Sequence, residues 1–313
     1  MRLDKSEYML ILAAALVALS GFFLPNWMIS IASTAFATAL VVQGLVMLIR
    51  SGLVSFGQGL FFGIGGYAVG MGGRFLGITD IAALIAIGLV VAVALAMILG
   101  ILLSRYREIF FAMLTLAFSM VLYGLLVKSM ALGSTDGFGV GAWHILGWVP
   151  PAGSRRLTVF LLTVGFCLVV ALFLHRYFRS AIGLACEAIR ENEVRVEYMG
   201  ISRRQILYIN YVIAAAIGAL GGSLYALASG HVDPHMTYWT TSGEFVFIAL
   251  LAGTGHVAAP FIAALVFAIV RTYAVEWFPN AWQMGLGITL LLIILFLPGG
   301  IWSLFTRFRR AQS

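Results

Sequence analysis

Residues 79–104 read TDIAALIAIGLVVAVALAMILGILLS, and no side chain between Asp80 and Arg105 carries a charge. A helix rises about 1.5 Å per residue, so about 20 such residues cross the roughly 30 Å hydrocarbon core of a bilayer. The run is continuous rather than alternating. That selects helix over strand, because lipid offers the backbone no water and a spanning segment must satisfy its own N–H and C=O groups.

Nine more apolar runs flank it, at 8–24, 28–49, 53–73, 108–128, 157–175, 206–229, 242–253, 260–278 and 281–297. The predicted fold class is therefore all-α: a polytopic membrane protein of about ten transmembrane helices, residues 1–313 forming one transmembrane domain. Composition agrees, since 62% of the 313 residues are hydrophobic and 10% charged, against roughly 25% charged in soluble domains. No water-covered globule hides that much apolar surface. Arg2 and Lys5 ahead of the first run suggest a signal peptide, but bulky Phe22, Phe23 and Leu24 stand where a cleavage site needs small residues. A retained first span is expected.

The net charge of +7 does not point to nucleic acid, because the basic residues sit at the ends of apolar runs and not on one helix face. With the N-terminus in the cytoplasm, ten spans put Arg2, Lys5, Arg50, Arg105, Arg107, Arg176, Arg179, Arg190, Arg195, Arg203, Arg204, Arg307, Arg309 and Arg310 inside. Outside remain Arg74, Lys128, Arg155, Arg156 and Arg271, which is the bias expected if both termini are cytoplasmic. Cys167 and Cys186 have no metal, redox or disulfide spacing and read as packing residues. No cofactor is expected.

Two runs make poor spans. Residues 53–73 are interrupted by Gly57, Gly59, Gly63, Gly65, Gly66, Gly70 and Gly72, and residues 242–253 stop early at Gly253-Thr254-Gly255-His256 and Pro260. Small residues let helices pack closely. Each run is also the second member of a set of four, starting at Met28 and Ile206 on opposite sides of the membrane, and paired broken segments in inverted halves mark a translocation site near the midplane. Whether the two segments cross fully or re-enter stays open.

The longest cytoplasmic segment, 176–205, carries ACEAIRENEVR at 185–195. Ala185, Ile189, Val196 and Met199 share one side at helical spacing, and Glu187, Arg190, Glu191 and Arg195 fill the rest with pairing three or four residues apart. Gly200 supplies a stop. A solvated loop helix has this pattern, and so has a rigid knob for a soluble partner.

The chain resembles the permease subunits of branched-chain amino acid ABC importers of the LivM type, whose relatives include urea and short-amide permeases. The resemblance rests on GLVSFGQGLFFGIGGY at 52–67, on FFAMLTLAF at 110–118 followed by Ser134-Thr135-Asp136-Gly137, on AIRENE at 188–193 with Met199-Gly200-Ile201, on GALGGSLYA at 218–226, and on LPGG at 297–300. Two positions depart from the family pattern: Gln58 replaces a usual histidine, and Gly253-Thr254-Gly255-His256 a usual double glycine. The resemblance implies a subunit that hydrolyses nothing, and no Gly-x-x-x-x-Gly-Lys-Ser/Thr loop is present. It further implies two ATP-binding subunits gripping the segment that holds Glu187, Arg190, Glu191, Glu193, Arg195 and Gly200. A second related permease, a periplasmic binding protein and an inner-membrane location come with it.

Polar groups inside apolar runs are the expected path-lining residues. They are Gln43, Ser55, Gln58 and Thr115, with Glu244 and Gly253 in the short eighth segment. The hydroxyls and amides serve equally as glue between helices, and Glu244 as a helix cap. Arg271 and Glu276 read as snorkelling, and His231, Asp233 and His235 as a polar loop rather than a metal site. Rival functions are a sugar or nucleoside ABC permease, an ion-coupled secondary transporter, and a scaffold that moves no solute.

Overall fold

The computed structural model describes residues 4–277 together with 281, 284, 285, 287, 288, 291 and 300–303. The expected tenth run at 281–297, the first three residues of LPGG, Arg2 and the basic cluster Arg307, Arg309 and Arg310 lie outside the described residues or nearly so.

Ten α-helices stand among the described residues: α1 Lys5–Ser20, α2 Asn26–Arg50, α3 Gln58–Met71, α4 Ile81–Leu103, α5 Glu108–Lys128, α6 Arg155–Phe178, α7 Ala181–Tyr198, α8 Arg203–Ser229, α9 Trp239–Ala252 and α10 Ala259–Trp277. Six of them, α2, α4, α5, α6, α8 and α10, are long and apolar enough to cross a bilayer. The protein is thus a multi-pass, all-α membrane protein. Helix α1 has 16 residues, and α3 and α9 have 14 each, about 21 Å of rise, which is short of the hydrocarbon core.

Helices α2, α3 and α8 form the centre. The middle of α2, from Ala39 to Leu48, is wholly or almost wholly shielded. Glycine makes this closeness possible, for a Cβ on Gly44 would lie 2.8 Å from the Ala214 carbonyl, and one on Gly65 or Gly222 would overlap the backbone of Ala219 or Phe62. Around this centre the outer faces stay oily. Leu12 and Leu16 of α1, Val90 and Ile98 of α4, and Ile109, Phe110 and Met113 of α5 are exposed, as a hydrocarbon solvent requires.

The two ends of the bundle differ in chemistry. One gathers the ion pairs Asp4–Arg179, Glu7–Arg176 (2.7 Å), Arg50–Glu187 and Arg107–Glu193–Arg203, which bring Arg50, Arg107, Arg176, Arg179 and Arg203 to that end. The other end is closed by a two-stranded antiparallel ribbon pairing Phe138–Gly139 with His231–Val232, and by Arg74 and Arg155 over the rings of Phe138 and Trp143.

The polar helix α7 corrects three expectations. It is not one rod: Asn192 leaves the helix (φ −159°, ψ 96°), and its side-chain oxygen accepts from Arg195 N (3.0 Å), capping a second short turn. The break turns Met199 outward, so it is 72% exposed instead of buried with Ala185, Ile189 and Val196. Nor do the charges pair along the helix. Glu187 reaches Arg50 of α2, and Glu193 bridges Arg107 and Arg203 (2.8 Å to the latter). Gly200, at φ +81°, follows the last turn in the left-handed conformation that glycine favours.

Candidate functional site

Helices α3 and α9 meet head to head inside the bundle. Added Cβ atoms at Gly59, Gly66 and Gly70 along α3 would touch Ser242, Met236 and Val232 in turn, and Gly63 would meet Thr237. As α3 advances, its neighbours retreat along 232–242, so the two helices point away from a shared starting place. That place lies near the midpoints of α5 and α8, where Ser119 donates to the Thr237 carbonyl (2.7 Å) and Gly218 faces the Gln58 amide. The positive ends of two helix dipoles therefore converge at mid-depth.

The chain reaches that depth through residues 53–57, which are not helical and would leave backbone donors unpaired in lipid. Side chains satisfy them. Phe56 N donates to Thr115 Oγ1 (3.2 Å), Gly57 N to Ser55 Oγ (3.2 Å), and Gly59 N to Ser242 Oγ (3.1 Å). Ser55 and Thr115 thus hold the non-helical turn, and Thr115 further donates to Ala112 O. Gln58 is different: it is wholly buried, and neither its Oε1 nor its Nε2 has a partner among the described residues. Leaving such an amide unpaired costs about 1–3 kcal/mol.

The other expected residues fall at two further places. Gln43, also wholly buried, donates to the Val257 carbonyl and leaves its Oε1 unpartnered. Gly253 ends α9 with φ +74° and ψ 173°, a conformation essentially reserved for glycine. Gly253 opens the loop 253–258, which Gln43 of α2 holds through Val257 and which is also fixed by Ser6 against His256 (3.4 Å) and by Trp302 stacked on the His256 ring at 4.3 Å.

Glu244 caps nothing, since Tyr238 precedes the first residue of α9. Its carboxylate instead takes Arg271 Nη1 at 2.9 Å, which replaces simple snorkelling of Arg271 by an ion pair across α9 and α10. The pair stands in a cavity of about 310 Å³ with a polar rim at His231, Asp233 and His235 and an apolar floor that includes Phe62 and Phe245. Phe62 lies one turn beyond Gln58 on α3, so the floor abuts the meeting place of the half-helices. No group of three or more His, Cys, Asp or Glu among the described residues is arranged to hold a metal.

Sequence reasoning missed Ser242 and Ser119, which were hidden as ordinary residues of apolar runs, although Ser242 opens the segment already marked as broken. It also missed Asn210, a wholly buried amide that donates to Ser51 Oγ (2.7 Å) and accepts from the Tyr177 hydroxyl. A polar residue in the first third of a long apolar helix was the available signal.

The α7 charges expected to act together divide by exposure. Glu187 and Glu193 are tied to the transmembrane helices, and Arg190, Glu191 and Arg195 face solvent beside exposed Val194 and Tyr198. A Cβ on Gly52 would lie 3.7 Å from Arg190 Cα, so α7 rests on the turn that leads to Ser55 and Gln58.

Residues 27–297 match the family model described as branched-chain amino acid transport system / permease component. The chain is similar to the high-affinity branched-chain amino acid transport system permease protein LivM of Escherichia coli K12, at 27% identity over 95% of this chain and 75% of that protein. LivM of Salmonella typhimurium is 29% identical over 83% of this chain, which covers 65% of its length. The permease protein LivH of the same Escherichia coli system is 25% identical over 47% of each chain. No solved structure matches.

Proposed function

The chain belongs to the branched-chain amino acid transport permease family, a family of transport components and not of enzymes, and from that premise we propose that it is the membrane-spanning subunit of an ABC importer for branched-chain amino acids or similar small amino-acid-like solutes. The observation that carries this reading is the head-to-head meeting of α3 and α9 around Gln58, joined by the Gly59 to Ser242 bond. Broken helices whose positive ends converge at mid-depth are how irregular backbone is tolerated beside a solute path.

In this reading the path runs from the 310 Å³ cavity past Gln58 to the 253–258 loop, and Gln43, Ser55, Gln58, Thr115, Glu244 and Gly253 line or shape it. Alternating access opens it to one side at a time. The protein sits in the bacterial inner membrane with both termini and α7 in the cytoplasm, supported by the basic end of the bundle. Two ATP-binding subunits grip α7 through Arg190, Glu191, Arg195 and the apolar Val194 and Tyr198. Glu187, Glu193 and the contact with Gly52 pass their movement to α2, α5, α8 and the re-entrant turn. A second related permease completes the pore, as suggested by the two permease proteins of the Escherichia coli system, and a periplasmic binding protein delivers the solute.

Vesicles holding the chain with its co-expressed partner subunits test this. Leucine uptake is expected to require ATP and the binding protein, and Arg190→Glu with Glu191→Arg is expected to lower it at least tenfold while weakening retention of the ATPase subunits. Uptake by this chain alone under an ion gradient would select the secondary-transporter reading instead.

A further inference from the structure

A second cavity, also of about 310 Å³, lies at the end of the bundle away from the ion pairs, among the starts of α2 and α6 and the end of α8. Arg155, Arg156 and Trp143 line it, and among the described residues no acidic side chain does. Neither arginine pairs with a carboxylate among the described residues, unlike the arginines of the opposite end. Both stand in the first turn of α6, which has no side-chain cap, so two like charges crowd the positive end of a helix dipole. The Arg155 guanidinium lies over the Trp143 ring at 5.7 Å, with its Nε enclosed and without an acceptor, so it is partly stripped of water. Arg156 is exposed. Of the serines in the wall, Ser33 gives its hydrogen to Ile29 O (2.7 Å) and Ser229 to His231 O (2.9 Å), whereas the Ser30 hydroxyl has no partner among the described residues. Uncompensated positive charge beside a free donor calls for an anion.

Tryptophan sets the depth of this cavity in the bilayer. Trp27, one turn before Ser30 on α2, and Trp148, in the loop ahead of α6, are 54% and 55% exposed, and exposed tryptophans of a membrane protein sit at headgroup level. The anion present at that level is lipid phosphate. We infer that the cavity binds the phosphodiester of an anionic phospholipid, with Arg155 and Arg156 donating from their terminal nitrogens and Ser30 from its hydroxyl. Arginine suits this ligand because its planar fork meets two phosphate oxygens at once. The wall also selects the headgroup. Choline or ethanolamine brings an ammonium towards two cations with no acid among the described residues to receive it, whereas the glycerol of phosphatidylglycerol brings no charge. The inference needs only a chain that spans a membrane, so it stands apart from the transport reading.

The test is lipid retention. The full-length chain in nanodiscs of equal phosphatidylglycerol and phosphatidylcholine, with matched acyl chains, is transferred to detergent, and the lipid that stays bound is counted by native mass spectrometry. Phosphatidylglycerol is expected to be retained at least fivefold over phosphatidylcholine, since each arginine facing an anionic lipid is worth about fivefold. Arg155→Gln with Arg156→Gln is expected to return the ratio to that of the bilayer, whereas Lys128→Gln, at the same end of the bundle on α5, leaves it unchanged. Arg156 is exposed, so Arg156→Gln alone is read if the double variant does not fold, with an expected fall of at least twofold. Equal retention of the two lipids by the parent, a ratio that survives these substitutions, or one that Lys128→Gln lowers as much, overturns the site. Binding of inorganic phosphate that depends on both arginines, without lipid enrichment, also overturns it, because the ligand is then a soluble anion.

Discussion

Helices α3 and α9 have the same length, start from the same place and point in opposite directions, yet they are held by different forces. Helix α3 is buried almost all round and seated by backbone contact, with Gly65 and Gly222 closing the gap to α8. Helix α9 also buries one face, through Phe245, Ile248 and Ala249 among others, but leaves Phe247 and Leu250 about two-fifths exposed and adds polar ties through the Ser242 hydroxyl and the Glu244 carboxylate. Close packing has no slack, whereas a hydroxyl and an ion pair exchange partners at small cost. Under the proposed permease function, α3 would be the fixed wall of the path and α9 the side that moves.

The largest expected effect breaks the fixed side. Gly65→Val places a branched side chain against the Ala219 backbone, where neither helix can retreat, and is expected to cost about 3 kcal/mol and most of the folded yield from membranes. Its counterpart on α9, Gly243→Ala, meets nothing within 4 Å and is expected to stay within about 0.5 kcal/mol of the parent in thermal unfolding in detergent. Equal losses at both positions would erase the distinction.

Gln58→Met sharpens the comparison from the other direction. It removes two unpartnered amide atoms at similar volume, so the chain is expected to gain about 1–2 kcal/mol of stability, while transport by the assembled complex falls at least fivefold. A polar group that is kept unpaired at a cost to stability is what a site of function looks like; if the variant is both more stable and fully active, Gln58 is only a packing residue. Ser242→Ala leaves Gly59 N without its acceptor and is expected to cost about 1 kcal/mol. Its effect on transport is expected to exceed that of Ser119→Ala, which removes the donor to Thr237 O and leaves the α3 to α9 junction in place.

The smallest effect lies at the end of the bundle. The Arg179 hydrogen bond and the Lys5 backbone N–H hold Asp4 below the usual carboxylate range. A depressed carboxylate pKa contributes stability that is present above about pH 4 and is lost as pH falls through the lowered value. Asp4→Asn is therefore expected to change thermal stability slightly at pH 7, and not at all once the parent's Asp4 is protonated. The tie is exposed, so a difference in melting temperature that vanishes in high salt is the expected signature.

Much of this was legible because lipid makes composition decisive. The run at 79–104 announces a span unaided, and the glycines of 53–73 and 242–253 mark two broken segments before any geometry is known. What the runs do not carry is register between distant parts of the chain. Nothing in the residues near Gly59 says that Ser242 will accept its N–H, and nothing near Glu244 says that Arg271 will answer it 27 residues later. The break in α7 escaped for a related reason: Asn192 fits an exposed helix face in a periodic pattern, and only its bond to Arg195 N shows it acting as a cap. Local periodicity sees faces, whereas the site is made of contacts between them.

Accessibility of Ser242 tests the meeting of the half-helices as the solute path most directly. In a background of Cys167→Ala and Cys186→Ser, a Ser242→Cys variant in the assembled transporter is treated with a small water-soluble thiol reagent, and Ala142→Cys, on the exposed loop between α5 and α6, serves as the accessible control. Reaction at position 242 is expected only during ATP turnover and is expected to be slowed by leucine. A thiol there that stays unreactive through turnover, with the control fully labelled, would contradict the path.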